Sequence, residues 1–269
     1  MSVITISRGS FSGGKMLAEC LSKALGYRCV DREVIVERAA AHGVSQEELR
    51  DALQKPPTFM ERIQHKKYLY LVLIQAALIE EVRTGKAVYH GNAGHLLLKG
   101  GPHVLRVRII APLELRLKMA QDRLKLSRNE ALDYIGGMDQ DRKKWTQYLY
   151  GVDWGDAANY DIVLNLEFME ISEACRAVAT LARQRCFEFT ACCQAAMDDL
   201  ALASRVRAAL ALDDATSHLE VEVVAKEHTV RIFGSVANMR EVDEVRHVAM
   251  AVPGVGTLNL DELASPTRS

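Results

Sequence analysis

VITISRGSFSGGKMLAECLSKALGY, residues 3–27, changes its hydrophobic period once, near Lys15. Val3 to Ile6 is a short β-branched apolar run, the pattern of a buried strand. Beyond Lys15, residues Leu17, Cys20, Leu21, Ala24 and Leu25 recur at i, i+3, i+4, i+7 and i+8. That spacing is one apolar face of a helix, and Gly26 is its expected stop. Strand and helix are joined by Gly9-Ser10-Phe11-Ser12-Gly13-Gly14-Lys15.

Gly9, four residues, Gly14 and Lys15 are the first seven positions of a phosphate-binding loop. A strand, a glycine-rich turn and a helix start aim backbone N–H groups at one spot, where the helix dipole favours an anion. Glycines admit the phosphates closely, and the lysine reaches the β- and γ-phosphates. The eighth position departs from the pattern. It is Met16, where a Ser or Thr hydroxyl would face Mg²⁺. A thioether is a poor ligand for a hard cation, but Mg²⁺ keeps several waters and takes oxygens from the nucleotide itself. Ser10, Ser12 and Asp31 supply nearby oxygens, and no residue is assigned as a metal ligand.

Working outward, the same alternation of strand and helix repeats. Tyr27 to Val30 reads as a second strand ending at Asp31, and Ser45 with Glu48 as a capping-box helix start. After Pro56-Pro57 a long helical stretch runs from about Met60 to Arg83. Ala87 to Tyr89 enters the loop HGNAG, and Val104 to Ile110 is a fourth strand stopped by Pro112. Helices are expected from Leu113 towards Leu126 and from Ser127 to Met138, with DQDRKKW (139–145) beyond. Asp161 to Leu166 is a fifth strand, and Ile171 to Arg185 a closing helix. Such alternation predicts an α/β fold with a doubly wound parallel sheet.

The pattern changes after a segment, 186–197, that carries Cys186, Cys192 and Cys193 and no clear periodicity. Leu202, Val206 and Leu210 mark a helix; Leu219, Val221 and Val223 alternate with Glu220 and Glu222 as a half-buried strand. Thr229 to Phe233, a helix through Val242, Val245, Ala249 and Val252, and a strand through Val255 and Leu258 follow. The expected organisation is domain 1–185, linker 186–197, and a small α-β-β-α-β domain over 198–263.

The chain has 269 residues, a net charge of −1 and no apolar run near the roughly 20 residues a membrane span needs. A broad nucleic-acid surface and a transmembrane segment are therefore not expected, and without a leader-like start the expected location is cytoplasmic. Six cysteines with no C-x-x-C pair read as reduced, partly buried thiols. His90 and His95 show neither HxxxH nor HExxH spacing, so a zinc hydrolase is unsupported.

Arg123, Arg128, Arg142, Lys143 and Lys144 form a basic set where a nucleotide kinase carries its helical lid. Phosphoryl transfer is catalysed by positioning and charge neutralisation, which arginines closing over phosphates provide. With these residues in view, the first 185 residues resemble the cytidylate kinase-like family of P-loop nucleoside monophosphate kinases. The resemblance rests on residues 4–35, AVYHGNAGHLLL (87–98), LRVRIIAPLELRLK (105–118) and MDQDRKKWTQYLYGVDWGDAANYDIVLNL (138–166). In the last of these, Asp141-Arg142, Trp154, Asp156 and Tyr160-Asp161…Asn165 recur together.

The resemblance implies ATP and Mg²⁺, with transfer of the γ-phosphoryl group to CMP, dCMP or a similar monophosphate. It implies that Gly9, Ser10, Ser12, Gly13, Gly14, Lys15 and Met16 cradle ATP. Lys15, Arg123 and Arg142 would serve the transferring group, and Asp31, Arg38, Gly91 and Asn92 the acceptor. The family often carries Gly-Arg after its third strand, where this chain has Gly91-Asn92. Residues 198–263, through VRIFGSV (230–236) and VPGVGTLNL (252–260), resemble a BON domain. That implies a phospholipid or protein partner and a sensing role. The alternative is a nucleotide-binding regulator with little or no kinase activity.

Overall fold

β1 (Val3–Arg8) runs through the middle of a five-stranded sheet whose order is β2-β3-β1-β4-β5. The other strands are β2 (Arg28–Val30), β3 (Ala87–Tyr89), β4 (Val104–Ile110) and β5 (Ile162–Asn165), and every pairing is parallel. Val3 stands opposite both Ala87 and Val104, so β1 has a hydrogen-bonded neighbour on each side. The computed structural model describes residues 2–54 and 66–264.

Both faces of this sheet are covered, as a parallel sheet requires. Ile4 and Ile6 point into one core with Leu17 and Leu21 of α1 (Gly14–Leu25) and with Ala174 and Val178 of α8 (Ile171–Ala182). Val3 belongs to the opposite core, formed by α2 (Arg32–Ala40), α3 (Gln46–Gln54) and α4 (Lys66–Val82). The expected parallel α/β sheet with helices on both faces is present. The start expected for α4 near Met60, and Pro56-Pro57, lie outside the described residues.

Two helices exceed what periodicity shows. α2 follows directly on Asp31, whose carboxylate accepts from Val34 N at 3.0 Å, an N-cap that satisfies one orphan donor. The helix expected to stop at Met138 continues through DQDRKKW as α7 (Arg128–Tyr150). Gly136-Gly137 costs helix stability, but burial of Ile135 and Trp145 offsets it. Trp145 Nε1 donates to the Ala52 carbonyl at 2.7 Å, which ties α7 to α3. Short α5 (Gly94–Leu97) and α6 (Leu113–Leu124) complete this part.

Segment 186–197, expected as a linker, is helical from Ala191: it opens α9 (Ala191–Leu212), capped by the Thr190 hydroxyl. Met197, Ala201, Ala208 and Ala211 pack into the core beside α4, while Leu202, Val206 and Leu210 enter a third core. A helix buried on two sides has no single apolar stripe, which is why its first turns show no period. The third core lies under β6 (Glu222–Lys226), β7 (Thr229–Ser235), α10 (Met239–Met250) and β8 (Thr257–Asn259). β6 is antiparallel to β7, while β8 and the short β9 (Leu263–Ala264) pair parallel with β7. The α-β-β-α-β order is therefore present.

The thiols also depart from expectation. Cys20 of α1 and Cys175 of α8, 155 residues apart, are joined by a disulfide, with Cα atoms 6.1 Å apart. Cys29, Cys186, Cys192 and Cys193 are free, and only Cys193 of these four is buried. No described helix is long and apolar enough to cross a membrane.

Candidate functional site

The loop from β1 to α1 sits at the carboxyl end of the parallel strands, where open α/β sheets bind ligands. Gly13 takes φ +84°, a left-handed conformation that glycine adopts without a Cβ penalty, and turns the chain into α1. Gly14 has no room for a side chain: a Cβ there would stand 2.9 Å from Cγ and Nε of Arg8. The loop is stapled from outside. Ser10 N donates to Asp139 Oδ1 at 3.0 Å, the Ser10 carbonyl accepts from Arg116 Nε at 2.8 Å, and Arg116 pairs with Asp139. Thus α6 and α7 together fix the loop from behind.

Two cavities open on this loop. One, of about 250 Å³, is walled by Ser12, Gly13, Gly14, Lys15 and Met16, with Met119 and Arg123 of α6 across from them. The other, of about 300 Å³, is walled by Gly9, Ser10, Asp31, Gly91, Asn92 and Arg142, together with Arg32, Glu33 and Met138. Arg8, Phe11 and His90 line both. Of the residues expected to cradle ATP, Ser12 to Met16 line the first cavity, whereas Gly9 and Ser10 line the second, beside Asp31, Gly91 and Asn92, and the two cavities share a wall.

Individual positions differ in what they do. Lys15 is exposed and stands 3.9 Å from Glu19 one turn on. Asn92 donates its amide to the Leu53 carbonyl at 3.0 Å. Arg142 is nearly buried, and its Nη1 donates to the Arg8 carbonyl and to Asp139 Oδ1, each at 3.1 Å. Burial holds its pKa below the usual arginine value, although Asp139 opposes that shift. Arg123 is exposed at the end of α6, and Arg128 pairs with Glu114 away from both cavities.

Arg38 is a correction. It was expected on the acceptor side, but its Nε pairs with Glu81 Oε2 at 2.6 Å and it lines a separate cavity beside α4 and α9. Seven residues of helix carry it about 10 Å along the axis from Asp31. Conversely, sequence reading missed Arg8, His90, Arg116 and Asp139. Only Arg8 had a local signal, its place directly before Gly9.

Beneath the site lies a polar network built from the stretch around residues 154–160. Trp154 Nε1 donates to Ser7 Oγ at 2.8 Å, Tyr160 Oη lies 3.1 Å from the same hydroxyl, and Arg108 Nη1 donates to the Trp154 carbonyl at 2.5 Å. The Arg108 and Arg142 guanidinium carbons stand 4.2 and 5.1 Å from the Trp154 ring centroid. This network packs against Arg142 at the wall of the second cavity. His90 Nδ1 is buried without a partner among the described residues, and burial and then Arg8 lower the pKa of its ring.

The residues fit a triphosphate. Gly13 and Gly14 leave the helix start bare, and Ser12 Oγ is a buried oxygen without a hydrogen-bond partner among the described residues, on the wall of the first cavity. For magnesium the protein offers little: among the described residues no three His, Cys, Asp or Glu side chains gather as a metal site. A hard cation arriving with phosphate oxygens and water needs few protein ligands, and Ser12 Oγ and Asp31 are oxygens of the right kind.

Comparison with known proteins agrees with this geometry. Residues 3–167 match the model of the cytidylate kinase-like family. The chain is 30% identical to a cytidylate kinase of Ignicoccus hospitalis over 173 residues, 63% of this chain and 92% of that one. It is 24% identical to a cytidylate kinase of Pyrococcus horikoshii over 164 residues, 61% of this chain and 79% of that one. In fold it is similar to a solved, uncharacterized protein of Eubacterium ventriosum, with TM-score 0.55 and 16% identity over 69% of this chain and all of that one. A family match over more than half its length, on the stretch that builds both cavities, means that the chain belongs to the cytidylate kinase-like family.

Proposed function

We propose that the protein is an ATP-dependent nucleoside monophosphate kinase whose preferred acceptor is CMP or dCMP. The observation that carries this reading is the shared wall of the two cavities, one formed by the phosphate loop and the other by Asp31, Gly91 and Arg142. A γ-phosphoryl group held in the first would face an acceptor phosphate in the second. Proximity of this kind, with fixed charges around it, supplies most of the catalysis in phosphoryl transfer.

Loop N–H groups and the start of α1 hold the β- and γ-phosphates, and Lys15 and Arg123 neutralise them from opposite sides. Asp31, Gly91 and Asn92 border the acceptor, and Arg142 faces its phosphate. An acceptor phosphate oxygen bonds to the γ-phosphorus as the bond to the β,γ-bridging oxygen breaks. ADP leaves with that electron pair and the acceptor becomes a diphosphate. The attacking oxygen is already anionic, so no general base is needed. Ser12 Oγ and Asp31, with phosphate oxygens and water, would hold a Mg²⁺ ion, which would supply further positive charge to the phosphates.

ADP formation should be followed with CMP, dCMP, UMP, AMP and GMP as acceptors. CMP or dCMP should give the highest kcat/KM. If no monophosphate raises ADP release above the rate with ATP alone, the reading fails, and a nucleotide-binding regulator takes its place.

For the C-terminal unit we propose a BON-like sensing role, supported by its α-β-β-α-β order and by its link to the kinase part. α9 carries Asp198 and Arg205, which pair with Arg83 at 2.7 Å and Glu80 at 3.3 Å beside α4. Added anionic phospholipid vesicles should change kcat; identical kinetics with and without them removes phospholipid from the reading.

A further inference from the structure

Arg8 is the last residue of β1, and its side chain passes between the donor and acceptor cavities, lining both. The aliphatic stem lies against Gly14, the first residue of α1, at the seat of the phosphates. At the far end Nη1 donates to the Gly91 carbonyl at 3.2 Å, on the acceptor side. One planar cation thus spans from the helix start to the acceptor loop.

Its neighbours among the arginines are matched by carboxylates. Arg142 is paired with Asp139 at 3.1 Å, and Arg32 with Glu33 at 2.8 Å. Among the described residues no carboxylate pairs with Arg8, and the charged groups that act on it include those same two arginines. Burial first, and then Arg142, lower its pKa to about 10, so it stays cationic at neutral pH. Like charges brought together away from water are unfavourable until an anion comes between them.

We propose that Arg8 is a catalytic residue whose guanidinium contacts the phosphoryl group as it passes from donor to acceptor. The proposal rests on the kinase reading of the same site and adds the group that bridges its halves. Charge gathers on the equatorial oxygens of that phosphoryl group in the transition state. A planar fork can bond two such oxygens at once, which an ammonium cannot. Arg8 keeps its protons throughout; it contributes charge and hydrogen bonds, and the bonds made and broken are those of the transfer itself.

The test is steady-state kinetics of the full chain, R8Q and R8K with ATP and CMP, alongside titration with a fluorescent ATP analogue. R8Q should lose about 10²–10³-fold in kcat, the usual effect of removing one preorganised electrostatic group. Both Michaelis constants and the affinity for the analogue should stay near those of the unaltered protein, because the contact is made in the transition state. R8K, which keeps the charge but loses the fork, should remain at least about tenfold slow. If the unaltered protein transfers phosphate and R8Q turns over within about threefold of it, the role of Arg8 is overturned and the kinase reading stands. If the unaltered protein transfers nothing to any monophosphate, the kinase reading falls and the role of Arg8 falls with it. Should R8Q lose its cooperative thermal transition, R8K decides, and an unaltered rate there overturns the proposal.

Discussion

Asn92 donates its side-chain amide to the backbone carbonyl of Leu53, 3.0 Å away in the last turn of α3. The carbonyls of a last helical turn lack partners within the helix, so this bond satisfies a group that would otherwise be orphaned. At a position where the family resemblance would place an arginine, the side chain supports a helix end. N92A should cost about 1 kcal/mol, read from the urea midpoint. N92R should cost at least as much and leave the Michaelis constant for CMP unimproved. A clear fall in that constant would show instead an eroded phosphate site that the arginine restores.

Lys15 occupies the lysine position of the phosphate loop, is exposed, and stands 3.9 Å from Glu19. K15A should therefore leave thermal stability almost untouched, since exposed pairs contribute about 0–1 kcal/mol. Turnover should drop by about 10²–10³ if the ammonium meets charge developing on the γ-phosphate. Thermal melts and ADP release on the same preparation separate the two effects; unchanged turnover would remove the loop from the donor site.

Trp154 is the hinge between stability and the acceptor cavity. Its Nε1–H bonds Ser7 Oγ at 2.8 Å, and its ring lies under Arg142. W154F keeps an aromatic face but deletes the donor; the Ser7 hydroxyl retains Tyr160 Oη as a partner, so the loss should be about 0.5–1.5 kcal/mol, that of one hydrogen bond. The Michaelis constant for CMP should rise more than that for ATP, because Arg142 lines only the acceptor cavity of the two. Equal changes in both would argue for a general loss of packing.

His95 makes folding sensitive to acid. Burial first, then Arg106 and Arg108, lower its pKa from 6.5 to about 4. Below about pH 6.5 the unfolded chain takes up a proton at this side chain that the folded protein refuses, so stability falls with pH across that window. The loss should reach about 3 kcal/mol near pH 4, because each pH unit crossed between the two values costs about 1.36 kcal/mol. Urea midpoints at pH 7 and pH 5 should converge in H95L relative to the unaltered protein; equal slopes would mean that another group carries the effect.

What the sequence shows here follows the range of the interaction. The five strands and the phosphate loop are written in runs of a few residues, with the period change at Lys15. The staple of the loop is not: Arg116 and Asp139 act on Ser10 from 106 and 129 residues away. The Cys20–Cys175 bond likewise appears only once α1 and α8 face each other. Arg38 misled because charge and proximity in sequence say nothing about which way a helix turns a side chain. The first turns of α9 were hidden for the opposite reason, since burial on two sides erased their amphipathic stripe.

If the two adjoining cavities are the donor and acceptor halves of one transfer site, a single molecule carrying both nucleotides should fill them together. A bisubstrate analogue, adenosine and cytidine joined through five phosphates, spans both at once. Its inhibition of CDP formation should be measured against varied ATP and against varied CMP. Competition with both nucleotides is expected, with binding far tighter than either alone, because one molecule gathers both sets of contacts. Competition with ATP alone, at the affinity of an ordinary adenine nucleotide, would contradict it.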